Sequence, residues 1–519
     1  MARRKPTPRH GRTVARFTPR RWLPFVALTG IVAAGVVVAS RDSSAPPPAS
    51  EASAEIVLLT PTVAEPGALS SAWFCGGGSA QGEQGPAELS VVIANDDGRG
   101  AVADITVVDD HDGHAVRQVE VPANGRARVA LADIRGGDWV AATVEVRGGR
   151  AVVDREVRGP DGFDAGPCAT SAAREWYVPS GSTVREAEEY LSIFNPFPDS
   201  SSVDISFATE SGRRAPRALQ ALSIPGRSVR VVRVKDTITA RTQIAATVRA
   251  RSGRVVVDRV QTYSGKGDPV AGKGEGAVTT AAPIGLVSTP GFPGAADRWF
   301  FPGSSLSDGN RTQLAVYNPS DRSAEVDVTL GYQEPGLHPA NEPIQLTIPA
   351  KSSEVVDLTD DPDILPGIPF TIDAQSIDDR PIVAERLSFT GRPAKRRGAT
   401  VTAGSPVAAT RWLVAQGGPS KSRSSSVVVA NPGPRAVHLT VVELTGGTRR
   451  QLEGGRITIP KGDRRAIPLD GAATAATLEI RADGAVVVAY GLSQSSGLGL
   501  ASAGAEPFPE TISALPPTS

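Results

Sequence analysis

Val203-Asp204-Ile205-Ser206-Phe207 alternates apolar and polar side chains, and its apolar set is β-branched or aromatic. Such a stretch reads as a strand buried on one face. The pattern returns as Val326-Asp327-Val328-Thr329-Leu330 and as Val437-His438-Leu439-Thr440-Val441, so the chain is read by what repeats in it. Working outward, a strand ending in Asn precedes this position in four copies: Ile93-Ala94-Asn95, Ile193-Phe194-Asn195-Pro196, Val316-Tyr317-Asn318-Pro319 and Val429-Ala430-Asn431-Pro432. Each copy opens on a tryptophan, Trp73, Trp176, Trp299 or Trp412, followed by a loop rich in Gly and Ser. From Trp to Asn the separations are 22, 19, 19 and 19 residues, which marks a true internal repeat.

Downstream, a second strand stops at a turn proline in every copy: Val119-Glu120-Val121-Pro122, Leu222-Ser223-Ile224-Pro225, Leu346-Thr347-Ile348-Pro349 and Ile457-Thr458-Ile459-Pro460. Proline suits that boundary because it cannot donate into a ladder. The copies close on Val152-Val153-Asp154-Arg155, Val256-Val257-Asp258-Arg259, Val383-Ala384-Glu385-Arg386 and Val487-Val488-Ala489-Tyr490, where the fourth has lost both acid and Arg. In the three copies that have them, the acid and Arg read as an edge salt bridge.

About six or seven short strands per copy of roughly 100 residues describe a small sandwich. The expected fold class is all-β, with four tandem immunoglobulin/fibronectin-like β-sandwich repeats strung behind one N-terminal transmembrane helix. The boundaries fall at 1–21 (basic tail), 22–39 (anchor), 40–70 (Pro/Ala/Ser-rich linker), 71–170, 171–264, 298–391 and 411–503 (repeats 1 to 4), 265–297 and 392–410 (linkers) and 504–519 (disordered tail). The rival architecture is a closed propeller with one repeat per blade, for which repeats this long are unusual.

Eight basic residues, Arg3, Arg4, Lys5, Arg9, Arg12, Arg16, Arg20 and Arg21, precede an uncharged run over 22–39. Its 18 residues reach the lower limit for a helix crossing hydrocarbon, and the charge bias keeps the N-terminus in the cytoplasm. The alternative is secretion after cleavage near Ala39. Both readings export the remainder. The two cysteines, Cys75 and Cys168, then read as a disulfide tying the start of the first repeat to its end, against the alternative of two free buried thiols.

Taken together, the Trp, Asn-Pro, Ile-Pro and Val-Val-x-Asp/Glu-Arg pattern behind a basic anchor resembles an uncharacterised actinobacterial envelope family, domain of unknown function 5719, over about residues 20–505. The resemblance implies a lineage and a compartment and supplies no catalytic residue.

Fifty-five basic residues balance 55 acidic ones, which argues against nucleic acid as a partner. No His, Cys or carboxylate set has metal-ligand spacing, and no nucleophile elbow is present, so neither cofactor nor metal nor enzyme activity is expected. The acidic loops at Asp109, Asp110, His111, Asp112 and His114 and at Asp357, Asp360, Asp361 and Asp363 read as solvated turns rather than calcium sites. Trp73, Trp176, Trp299 and Trp412 are candidate glycan-stacking residues, although recurrence at one place in every copy is what a shared core produces. Recognition is expected in the loops after each Trp and in the insert 265–297. The function expected is that of a membrane-anchored, non-catalytic envelope scaffold or adhesion protein, whose partner is an envelope protein or cell-wall polymer. The alternatives are a carbohydrate-binding protein and an enzyme with a site between repeats.

Overall fold

The computed structural model describes residues 59–517, apart from 83–84, 185, 267–282, 307–308, 333–341, 360, 362–363, 365–366, 393, 496–497 and the side chains of 453 and 455. The basic tail, the anchor 22–39 and the start of the linker lie outside the described residues. Among those described, no helix is long and apolar enough to cross a membrane.

The alternating stretches are strands. In Ser201–Thr209, Val203, Ile205 and Phe207 are buried while Asp204 and Ser206 are half-exposed. Ile205 pairs with Val248 and Phe207 with Ala246, so the inward row meets another inward row. Three-residue 3-10 turns are the only helical pieces among the described residues.

Every copy builds two sheets. In the third, Arg298–Ser305, Pro369–Ser376, Ala324–Tyr332 and Ile344–Ile348 form one; Ser352–Asp357, Asn310–Asn318, Val383–Thr390 and Gly398–Ala403 form the other. Trp299, Phe301 and Val328 on the first share a core with Leu314, Val316 and Val383 on the second. The second copy is built alike. In the first copy a single parallel pair, Ser79 with Glu88, joins the two sheets; in the fourth the long strand Thr477–Gln494 runs through both.

The recurrent Asn has a structural purpose that explains its tie to the turn proline. Asn318 Nδ2 donates to Arg322 O (2.7 Å), Ile348 O (2.9 Å) and Pro349 O (3.2 Å), while its Oδ1 accepts from Ser320 N. Asn195 and Asn431 make the same set, and Asn95 holds Arg99 O and Pro122 O. One buried amide thus satisfies carbonyls of two turns at once.

Each copy is closed by its own end. The residue after the Trp exchanges two backbone hydrogen bonds with a residue just beyond the last strand: Phe74 with Ala169, Tyr177 with Phe292 and Phe300 with Ser405. In the fourth copy Leu413 pairs with Glu506 at this place. The first copy adds the Cys75–Cys168 disulfide, with Cα atoms 4.9 Å apart, inside the range such bonds require.

Those last strands correct the linkers. Ile284–Pro290 and Gly398–Ala403 lie in the stretches 265–297 and 392–410, yet they pair with Val256–Ser264 and Val383–Thr390. The segment 504–519 supplies Glu506–Pro507 and Ile512–Ala514, both paired with Val407–Val414, so its described part is not a disordered tail. These runs are short and rich in Gly, Ala or Pro, so local pattern under-reads them; their stability comes from neighbours distant in sequence.

The larger correction concerns arrangement. Gly162–Pro167 lies against Ile284–Pro290, that strand against Gly398–Ala403, that against Leu500–Gly504, and the last returns to Gly162–Pro167. The copies close into a ring about these four strands rather than hanging on a string, and 53–519 clusters as one unit. It is not a propeller of single-sheet blades either, since each copy is two sheets thick. A glycine enters each axial strand with φ between +146° and +158°: Gly162, Gly285, Gly398 and Gly499. That backbone region favours glycine. At Gly285 a Cβ would stand 2.2 Å from Ala399 N of the next copy, so there is no room for a side chain.

Candidate functional site

The chemistry-bearing residues gather where copies meet. Successive residues of a strand face opposite ways, so the acid and the Arg of each closing motif cannot pair with each other. This overturns the edge salt bridge: the acid faces the preceding copy and the Arg faces the following one. Arg155 Nη1 lies 3.2 Å from Asp258 Oδ1, and its Nη2 donates to Ser288 O at 2.7 Å. One step round, Arg259 grips Glu385 with two nitrogens, at 2.8 and 3.3 Å, and also donates to Thr289 Oγ1. At the last junction the Tyr490 hydroxyl donates to Asp154 Oδ2 at 2.7 Å, returning from the fourth copy to the first. The side chains of both Arg–acid pairs are at most 2% exposed. Pairs so buried stabilise only if both ends are present, and breaking one is costly.

The third junction departs from the pattern. Arg386 faces the fourth copy, where the acid position holds Ala489. Its Nη2 donates to Thr402 Oγ1 (3.1 Å) and Ser502 Oγ (3.3 Å), and its Nε has no hydrogen-bond partner among the described residues.

The loops after each Trp serve the same joints. A Cβ at Gly76 would fall 2.4 Å from Asp258 Oδ2, and Ser288 Oγ donates to Gly77 O. Ser180 Oγ donates to Glu385, Arg464 to Pro302 O and Arg126 to Ala415 O, while Gln416 Nε2 donates to Asp154 Oδ2. Residues of these loops are therefore occupied in holding the next copy, which corrects their expected role as free recognition loops. Most of the insert 265–297 before its strand lies outside the described residues.

Buried acids accumulate at the joints between copies. Burial pushes Asp164 up to about 7 against the Ser288 amide that bonds it, and pushes Glu189 up to about 8. Neither carboxyl oxygen of Glu189 has a hydrogen-bond partner among the described residues. Glu506 is raised well above the carboxylate range by burial and then by the neighbouring Asp154, which burial also raises. A cavity of about 100 Å³ runs between the four axial strands, lined by Asp164, Ser288, Val401 and Ser502, one from each copy, with Thr60 and Pro61 from the segment before the first copy.

The four repeat-opening indoles are 1% exposed, so their faces are core and offer no platform for stacking a sugar. Trp176, Trp299 and Trp412 donate to Val255 O, Ile382 O and Val486 O, equivalent carbonyls ahead of the closing strands, and Trp73 donates to Ser71 Oγ. In the first acidic loop Asp109 accepts from the His111 and Gly113 amides and from Arg135; burial raises its pKa, but these donors outweigh it and hold it low. Asp357 is paired with Arg311, while Asp360 and Asp363 lie outside the described residues. No group of three or more His, Cys, Asp or Glu among the described residues is placed to hold a metal ion. Sequence reading missed the inter-copy pairing and the axial glycines. The recurrence of Gly162, Gly285, Gly398 and Gly499 was the available signal.

A model of the family described as "Family of unknown function (DUF5719)" matches residues 64–285 and 277–361. No curated protein matches. Among solved structures, Thermotoga maritima 1070 is 22% identical over 21% of this chain and 93% of its own, with a TM-score of 0.18. The Anabaena sensory rhodopsin transducer is 24% identical over 17% and 92%, with a TM-score of 0.14. A tetra-tandem repeat from the extending region of a large adhesion protein is 12% identical over 84% and 99%, with a TM-score of 0.10. Superpositions this loose carry no argument.

Proposed function

Because the chain belongs to the Family of unknown function (DUF5719), whose description assigns no chemistry, we propose its role from the ring itself: a non-catalytic binding head of a bacterial envelope. Four immunoglobulin- or fibronectin-like sandwiches, held outside a single-pass anchor at 22–39, present a rigid surface to an envelope protein or to wall polymer. One observation supports this reading above others. The acids, arginines and post-Trp loops that could carry chemistry or recognition are used to join one copy to the next. What remains for a partner is the outer faces and the grooves between copies.

Photo-crosslinking of the full chain in living cells, with the probe placed on outer-face residues of each copy in turn, tests the reading. Position-dependent adducts with one envelope protein or with wall polymer are expected, together with no turnover by the purified chain in a broad hydrolase and transferase screen. Activity that survives repurification and saturates with substrate overturns it.

A further inference from the structure

The third junction is built around a cation, Arg386, for which the described residues supply no paired acid. Asp154, Asp258 and Glu385 each answer an Arg or Tyr of the preceding copy, and only Ala489 does not. Arg386 is 9% exposed, and among the described residues two hydroxyls are its only side-chain hydrogen-bond partners. A second buried guanidinium, Arg464, stands close enough to pull its pKa down further after burial has lowered it, to about 10. An unpaired buried charge is costly, so such a site favours an anion supplied from elsewhere.

The junction also has room for one. Fourth-copy residues facing the third copy are Ala489 and, two positions on, Gly491; the first copy has Asp154 and Glu156 in those places. Nothing steric requires glycine at 491, because a Cβ there would meet only ordinary contacts, Ser426 Oγ at 3.4 Å and Ala501 O at 3.8 Å. A groove of about 460 Å³ opens beside it, lined by Ser388, Thr400, Ser426 and Gly491 among others, with Arg396 and Asp470 as its charged residues. Arg386 pairs in register with Thr402, and the next pair on that face, Ser388 with Thr400, already lines the groove. Gly491 pairs with Ser502, which accepts from Arg386. The guanidinium therefore sits one step inward of a groove rich in hydroxyls, which also carries Arg396 and Asp470.

We infer that the groove between the third and fourth copies binds a polyhydroxylated carboxylate of the sugar-acid type, its carboxylate taking the place of the missing acid against Arg386 while Ser and Thr hydroxyls bond its own. The carboxylate forms the charge-assisted pair that the other junctions make internally. The site goes beyond the scaffold reading and does not depend on it.

Calorimetric titration of the full chain with sodium glucuronate tests the inference, with glucose and inorganic phosphate as comparison probes. Saturable binding of glucuronate, and at least about tenfold weaker binding of the other two, is expected. Arg386→Met removes the cation, and Ala489→Asp supplies the acid from within; each should abolish glucuronate binding, and Ala489→Asp should raise the melting temperature. A melting curve on each variant reports folding, and either variant alone suffices. Absence of glucuronate binding overturns the site, as does binding unchanged in a folded variant. Glucose or phosphate binding as tightly as glucuronate overturns the ligand class. None of these results depends on whether crosslinking captures a partner.

Discussion

Tyr490 and Asp154, 336 positions apart, share a 2.7 Å hydrogen bond that joins the last copy to the first. Asp154 also takes Gln416, so this carboxylate meets two neutral donors where its counterparts at the first two junctions meet a guanidinium, while Arg423 of the fourth copy pairs with Glu156 of the first at 3.3 Å beside it. Tyr490→Phe keeps the ring and loses the hydroxyl, leaving a buried carboxyl oxygen short of a donor. A loss of about 1–3 kcal/mol is expected. Denaturant unfolding measures it, and hydrogen exchange should show faster opening first in Ala151–Gly159 and Thr477–Gln494.

The Cys75–Cys168 bond closes a loop across a separation of 93 residues. Chain entropy sets its worth at about 4–5 kcal/mol at most. Because Phe74 and Ala169 hold the same closure with backbone bonds, reduction should lower the melting temperature without unfolding the ring at room temperature. Peptide mapping under non-reducing conditions should recover the linked pair, and free thiols at both positions would contradict the structure.

Asn318→Ala withdraws the donor from three carbonyls, those of Arg322, Ile348 and Pro349. Each buried acceptor left unmade costs on the order of 1 kcal/mol, so about 2–3 kcal/mol is the expected loss. Asn195→Ala and Asn431→Ala should fall within about 1 kcal/mol of it, because their bonding is the same. Chemical denaturation of the three variants checks this, and widely different losses would show that the copies do not share the device.

Glu189 and Asp164 titrate at about 8 and about 7 when folded, above ordinary carboxylates. Between pH ~4 and those values the unfolded chain binds fewer protons than the folded one, so their contribution to stability falls as pH rises through that window. Melting temperature should therefore drop by at least about 2 °C from pH 5 to pH 8. Glu189→Gln keeps the uncharged form and should flatten part of the slope. An unchanged slope would mean that Glu189 is ionised in the fold.

Strands and repeats were legible because their signals are local. Alternation in Val326-Asp327-Val328 and the turn at Ile348-Pro349 are fixed within a few residues. Closure of the ring was not, because its partners lie 103 to 336 positions apart and no periodicity connects Arg155 with Asp258 or Tyr490 with Asp154. The axial strands were hidden for a different reason: Ile284-Gly285-Leu286-Val287 and Gly398-Ala399-Thr400-Val401 are brief and follow low-complexity sequence. Their environment is supplied by the neighbouring copy. The buried state of Trp73, Trp176, Trp299 and Trp412 was foreseen from recurrence, since a residue needed by every copy is one the copy needs for itself.

The offset by which each copy reaches for the next is a head-to-tail contact, the type that closes identical subunits into cyclic oligomers. Here the subunits share one polypeptide. In a homotetramer any amino-acid change is imposed at all four interfaces together, whereas a fused tetramer can alter a single one and keep the other three intact. Replacement of the acid by Ala489 is such a change: three joints retain the strength of the assembly while the fourth is released from the symmetry that built it, free to acquire a selectivity of its own.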